Sequence, residues 1–377
     1  MTTYDVAIIG LGAMGSSAAY YLAKRGARVI GFDRFTPPHT LGSSHGDTRI
    51  IREAYHESPV YVPIVQRSYE LWAELEEESG RSLLQQTGGV MFGSPEGETV
   101  AGARRSAEMH GLAHEVLDAD EVRSRWSQFN PPDHFAAVYE DRSGILFPEK
   151  CISAYLEGAS NHGAELRYGT QVNGWTGDGD GVTLQTSGGE ISAGQLLITA
   201  GAWLPGLVPE LSLPLEIERQ VLFWFEPASN RAAFRPPDCP IYIWEYEPGH
   251  AFYGFPDLGD GVKIARHHDG HIVDPDSLDR DLVSPEDEVM LRAQLSRLMP
   301  DAPGRVTRSE VCMYTNTPDH HYLIGFHPDN ASVLIGSPCS GHGFKMASGL
   351  GESFAELLLD GESKHDLSPF GLDRLLG

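Results

Sequence analysis

Side chains able to do chemistry cluster in four short stretches of this 377-residue chain. The loop at residues 35–55 packs His45, Asp47, Arg49 and Arg52 into a few positions, and Pro37, Pro38, Gly42 and Gly46 keep its first part irregular. The protein carries a formal charge of −25, so a knot of arginine and histidine in it stands out as a place for an anion. Residues 262–267 read Val-Lys-Ile-Ala-Arg-His; as a strand they turn Lys263, Ala265 and His267 to one face. Cys312 heads a Cys-Met-Tyr-Thr run with Tyr314 two residues on, and taken alone it reads as a packed core thiol. Residues 340–345, Ser-Gly-His-Gly-Phe-Lys, follow a strand-like run and set Gly343 and Lys345 in a glycine turn ahead of a helix.

The scaffold for these groups begins at residues 4–33. An apolar strand at 6–9 runs into Gly10, Gly12 and Gly15 at G-x-G-x-x-G spacing, followed by a helix over about 16–25 and a second strand that ends in the acid Asp33. Gly10 permits the tight turn, Gly12 admits a pyrophosphate to the backbone, and Gly15 lets helix and strand pack closely. The pyrophosphate charge would lie at a helix N-terminus, and Asp33 is placed for a ribose hydroxyl. The motif predicts a dinucleotide and leaves open which one.

Composition sets the outer bounds. The length predicts two interleaved domains, and 41% hydrophobic with 21% charged residues is ordinary for a soluble protein. No run approaches the ~20 apolar residues of a bilayer span, and the first strand starts too early for a signal peptide, so a cytoplasmic protein with no membrane partner is expected. The acidic balance argues against nucleic acid. The four cysteines show no C-x-x-C pair, so free thiols and no metal site are expected.

Along the chain, residues 63–78 predict an amphipathic helix with Val65, Tyr69, Trp72 and Leu75 on its buried face. Residues 88–93 predict a strand and 98–110 a helix, 120–126 continue an α+β segment to about 140, and 176–195 read as a meander feeding an apolar strand that stops at Thr199-Ala-Gly-Ala. Residues 215–310 read as a β-rich body, with a helix opened by Ser284, Pro285 and Asp287 and buried through Leu291, Leu295 and Leu298. The fold class expected is α/β (α+β overall). A Rossmann-like dinucleotide-binding domain at 1–85, 141–214 and 311–377 is expected to interleave with a β-sheet-rich substrate domain at 86–140 and 215–310.

The His-Gly-Asp-Thr-Arg-Ile-Ile-Arg run at 45–52, Cys-Met-Tyr-Thr at 312–315, Ser-Gly-His-Gly-Phe-Lys at 340–345 and the opening glycine motif, in that setting, closely resemble the monomeric sarcosine oxidase family. These are flavin amine oxidases that also include N-methyltryptophan oxidase, and the resemblance covers essentially the whole chain. It implies FAD on Gly10, Gly12, Gly15 and Asp33, with Val172 near the adenine, Gly343 and Lys345 beside the cofactor, and Cys312 joined to the flavin 8α-methyl group. It implies Arg52 and Lys345 on a substrate carboxylate, with Tyr253 and Tyr314 as hydroxyl-bearing neighbours. His267 is implied to contact substrate and flavin, Lys263 to activate oxygen, and His45 and Arg49 to flank the flavin as electrostatic tuners.

The reaction implied is oxidative demethylation of sarcosine or a related N-methyl amino acid by O₂, giving formaldehyde, the demethylated amino acid and hydrogen peroxide, by a monomeric enzyme. N-methyl-L-tryptophan or a cyclic imino acid such as proline or pipecolate is the sibling alternative, and an NAD-dependent dehydrogenase the distant one. Three departures bear on the pocket. Glu53 adds a negative charge after Arg52, Pro338-Cys339 stiffens the turn before Ser340, and Trp244 and Tyr246 make one strand face unusually aromatic. His268, beside His267, reads as a surface residue.

Overall fold

The computed structural model describes residues 4–177 and 181–376. In chain order the first half comprises β1 (Tyr4–Ile9), α1 (Ala13–Lys24), β2 (Val29–Phe32), β3 (Arg49–Ile51), α2 (Val62–Ser79), β4 (Leu84–Gln86), β5 (Gly89–Gly93), α3 (Glu98–His110), β6 (Glu115–Asp118), α4 (Ala119–Arg125), β7 (Ala136–Glu140), β8 (Gly144–Leu146) and α5 (Pro148–Asn161). There follow β9 (Glu165–Arg167), β10 (Val172–Gly177), β11 (Val182–Thr186), β12 (Gly189–Ile198), α6 (Leu204–Leu207), β13 (Glu216–Phe225), β14 (Ile241–Glu247), β15 (His250–Gly254), β16 (Val262–His267), α7 (Pro285–Leu298), β17 (Val306–Asn316), β18 (Leu323–His327), β19 (Asn330–Ser337) and α8 (Ala347–Asp360).

The first sheet has a parallel core, β9-β2-β1-β12-β19, with β18 antiparallel on one edge and β10–β11 feeding β12. Its strands are apolar on both faces because both are covered. Val6 and Ile8 point into the layer of α1, α2, α5 and α8, while Ala7 and Ile9 meet Leu184, Leu204 and Val208 on the other side. Residues 62–79 bury Val65, Tyr69, Trp72 and Leu75 as the periodicity requires. Helix α1 starts three residues earlier than the sequence suggests. Gly12 is its N-cap, so Gly15 falls in the first turn, where a Cβ would lie 1.8 Å from Gly10 O.

The second sheet runs β17-β13-β16-β15-β14-β5-β7-β6, antiparallel except where β14 pairs with β5. That one parallel seam joins residues 89–140 to the later strands. Side chains alternate between the two faces. Phe223, Phe225, Ile264, Phe252 and Trp244 pack under α7, on Leu291, Leu295 and Leu298. The Ser284–Asp287 capping box opens that helix. The opposite face presents Leu222, Ala265, Tyr253 and Cys312 to the first sheet.

Strand β17 was not anticipated, because its first half, Thr307-Arg-Ser-Glu310, is polar. Its cross-strand partner β13 matches it from Glu216↔Asn316 to Trp224↔Arg308. The division expected between residues 310 and 311 runs through this strand, and Cys312 therefore sits in the second sheet. A small sheet, β3-β8-β4, pins the Arg49 loop against Gly144–Leu146. Among the described residues no helix is long and apolar enough to cross a membrane.

Candidate active site

The glycine turn at the end of β1 is shaped by contacts no side chain could share. Gly10 has φ +92, and a Cβ there would meet Thr199 O at 2.5 Å; Gly12 has nothing within 4 Å of its Cβ position and opens onto the cavity. No side chain caps the N-terminus of α1 and no acid stands in its first turn, so its leading N–H groups suit an anion. Asp33 braces this turn. Its Oδ2 accepts from Leu11 N–H at 2.9 Å and its Oδ1 from Phe35 N–H at 2.9 Å, and it lines the cavity together with Val172.

The cavity, about 440 Å³, runs from Gly10, Gly12, Asp33 and Val172 past residues 42–44 to the inner face of the second sheet. At that end Arg49, Arg52, Tyr253, His267, Cys312 and Tyr314 line it, with Gly343 and Lys345 on the opposing turn. Strand period and register explain the gathering. Tyr253↔Ala265, Ala265↔Leu222 and Gln220↔Cys312 are facing pairs, so their side chains share one face. Gly15, His45 and Lys263 lie behind the lining.

Arg52 and Lys345 flank the Tyr55 ring, at 4.3 and 5.1 Å from its centroid. Both are buried. Lys345 Nζ donates to His342 O at 2.7 Å and to Tyr55 OH at 3.3 Å; burial, with Arg52 nearby, pushes its pKa down to about 7. Arg52 is partly engaged: Nη2 donates to both Glu57 oxygens at 2.6 and 2.7 Å and Nη1 to Ala54 O at 3.1 Å, while the buried Nε has no partner. Burial opposes ionisation of Glu57, but Arg52 outweighs it and holds the carboxyl well below its usual range. Glu57 is thus a carboxylate sitting where a substrate carboxylate was expected. Sequence reasoning missed it, although it stands only five residues after Arg52.

His267 Nδ1 lies 3.3 Å from Tyr314 OH, and a Cβ on Gly341 would strike both rings. Burial, reinforced by His268, lowers His267 well below the ordinary histidine value, so it is a neutral hydrogen-bonding group. Lys263 Nζ donates to Gly46 O, Thr48 O and Thr48 Oγ1 at 2.6, 2.9 and 3.0 Å. Burial and then Arg49 lower its pKa, while the two carbonyl acceptors favour the ammonium and the Thr48 hydroxyl suits either form. The rings of Phe255 and Trp224, 4.8 and 5.4 Å away, also favour the cation.

Cys312 Sγ lies 3.8 Å from Ser43 O and 4.0 Å from Arg49 Nη2. Burial alone would raise the thiol, but His45 and Arg49 overcome it and bring Cys312 down to about 7. A thiolate in an electropositive pocket is a reactive one. His45 in turn is lifted to about 9, because Cys312 and Glu310 outweigh the cost of burying its charge.

Two readings of individual residues are corrected. Glu53 is buried, paired with Arg142 at 2.7 Å and absent from the cavity lining, so it is not a pocket side chain. His268 is not a surface residue: it is largely covered and bonds the buried Glu218 at 3.1 Å. Trp244 belongs to the core, stacked on Phe92 at 3.8 Å, and Ile243 takes the pocket side of that strand. Pro338 and Cys339 do line the cavity. Among the described residues no group of three His, Cys, Asp or Glu side chains could hold a metal ion.

A flavin dinucleotide fits these residues. The open Gly12 backbone and uncapped helix suit its pyrophosphate, Asp33 its ribose, and a thiol of lowered pKa stands at the far end. A family profile described as FAD dependent oxidoreductase matches residues 5–357. The chain is 44% identical over 377 residues to a monomeric sarcosine oxidase of Streptomyces avermitilis, covering 99% of this chain and 98% of the relative. It is 36% identical over 372 residues to an N-methyl-L-tryptophan oxidase of Salmonella dublin, covering 98% and 99%. The solved structure of L-proline dehydrogenase from P. horikoshii shares the fold, with a TM-score of 0.84 at 23% identity over 99% and 98% of the two chains. The dinucleotide is therefore FAD, and the NAD alternative falls away. The chain belongs to the FAD-dependent oxidoreductase family, alongside the monomeric sarcosine oxidases and N-methyl-L-tryptophan oxidases.

Proposed function

We propose that this protein oxidises a small secondary amino acid, sarcosine first, releasing formaldehyde and the demethylated amino acid. The observation that carries this reading is the pair of buried cations, Arg52 and Lys345, on the same cavity as Tyr253, His267 and Tyr314. The cations would hold the carboxylate, leaving the amine and its methyl group beside the neutral His267 and the tyrosine hydroxyls. Bound FAD would take two electrons with the carbon-bound hydrogen and pass them to O₂, yielding hydrogen peroxide. Lys263, as an ammonium held behind the wall, would stabilise negative charge developing on oxygen. No strong base is required if the amine binds neutral.

Cys312 is the residue we assign to covalent attachment. Overall, thiol, flavin methyl group and O₂ give a thioether and hydrogen peroxide. The aromatic face of β14 packs in the core, with Ile243 on the pocket side, and this favours a compact substrate over N-methyl-L-tryptophan. A cytoplasmic monomer completes the reading; four free cysteines and the name of the Streptomyces relative support it. Peroxide release should be measured across sarcosine, N-methylalanine, N-methyltryptophan, proline and pipecolate. Sarcosine should lead, and silence with every secondary amine would overturn the proposal. A yellow pellet after acid precipitation would support the Cys312 bond; a colourless one with a yellow supernatant would sink it.

A further inference from the structure

Glu310 precedes Cys312 by two residues on β17, so both side chains project from the same face. There they meet the loop that carries His45 and Arg49. Glu310 Oε2 receives the His45 Nδ1 hydrogen at 3.0 Å, while Oε1 is held by Arg308 Nε at 2.8 Å. Arg308 is anchored in turn by Asp47. The carboxylate is fixed from both sides. His45 is 2% exposed and its Nε2 has no hydrogen-bond partner, a costly condition for a buried ring nitrogen. The Cys312 thiol beside it is the group whose charge acts most strongly on the imidazole.

With the Nδ1 hydrogen committed to Glu310, the lone pair of the neutral ring is on Nε2, the nitrogen otherwise unused. We propose that Glu310 is a positioning residue that holds His45 so that Nε2 receives the Cys312 proton, and thereby governs how readily Cys312 becomes the thiolate that bonds to flavin. The step moves one proton from Sγ to Nε2 and leaves a thiolate beside an imidazolium whose charge Glu310 balances. The inference rests on the assignment of Cys312 to covalent attachment. The other charged groups around the pair are Arg49 and Asp47 from the same loop, Lys263 on β16, Arg280, Arg308 on β17 and Glu149 on α5. None of them contacts His45 Nε2.

The test uses the full chain prepared without flavin, as parent, Glu310→Gln and Glu310→Asp. Cys312 alkylation by iodoacetamide is followed by peptide mass spectrometry from pH 5 to 10, and acid-stable flavin is followed after FAD is added. The parent should reach half-maximal alkylation near pH 7. In Glu310→Gln the midpoint should move up by about one unit, which is roughly tenfold less thiolate below it, with covalent attachment slowed about as much at pH 7 and recovering toward pH 9. Glu310→Asp should lie between, and it keeps the test decisive if the glutamine variant does not fold. An unchanged midpoint in both variants overturns the proposal, as does slower attachment by the same factor at every pH, the mark of a merely structural role. If the parent forms no acid-stable flavin while the alkylation midpoint still depends on Glu310, the attachment reading fails and the proton relay stands.

Discussion

Raising the pH should loosen the grip of the cavity on a carboxylate, and Lys345 should be the cause. Its ammonium is buried, donates only to the neutral His342 O and Tyr55 OH, and lies near Arg52, which together bring its pKa to about 7. Glu57 already balances the Arg52 charge through Nη2, so Lys345 supplies the unbalanced charge that an incoming carboxylate meets. A unit charge placed ~4 Å from Nζ at an effective dielectric of ~20 is worth about 4 kcal/mol. That lifts the lysine by about 3 pK units in the complex, to roughly 10. Binding is therefore full-strength below pH 7 and should weaken about tenfold per unit between roughly 7 and 10, a total near 10³. Acetate, which has no amine to titrate, is a suitable probe, with Kd read from the perturbation of flavin absorbance in the holoenzyme. Lys345→Met should bind weakly at pH 6 and show no such slope. A parent Kd that changes less than about threefold from pH 7 to 9 would refute the reasoning, as would a slope that survives in Lys345→Met.

Three further outcomes follow from the same geometry. Lys263→Met should slow reoxidation by O₂ in stopped-flow while leaving anaerobic flavin reduction near the parental rate; the opposite pattern would remove its assigned role. Glu57→Gln strands the buried Arg52 charge, so the ligand-free variant should lose roughly 3 kcal/mol of stability. Acetate should raise its melting temperature more than the parent's, because the ligand refills the fork. Gly343→Ala puts a Cβ 1.7 Å from Pro338 O, so flavin content after purification should collapse, and a fully loaded variant would contradict the cradle described.

Local signals were legible in the sequence because each is written within a few residues. The glycine turn, the Val65–Tyr69–Trp72–Leu75 stripe and the Ser284–Asp287 box are of this kind. Period 2 also placed Lys263 and His267 on one face, and the register delivered that face to the cavity side. What could not be read is pairing across the chain. Glu53 meets Arg142, His45 meets Glu310 and Phe92 meets Trp244, and nothing local marks either partner. The start of α1 was misplaced because a glycine N-cap offers no Ser, Thr, Asp or Asn to announce it. Strand β17 was missed because its outer half is polar, as suits residues that pair with the His45 loop and with solvent.

The parallel seam between β14 and β5 sets an order on biosynthesis. The nucleotide-gripping turn at residues 10–15 leaves the ribosome early, yet β5 cannot gain its neighbour until residues 241–244 emerge. Until then β5, β6 and β7 form a three-stranded fragment with an open apolar edge, the kind of intermediate that aggregates or waits on a chaperone. Cys312 and Lys345 arrive later still. A nascent chain therefore completes the glycine-turn end of the cavity long before it can close the end lined by Cys312 and Lys345, and that closure is a late event in maturation. Contacts so distant in sequence also make that closure slow.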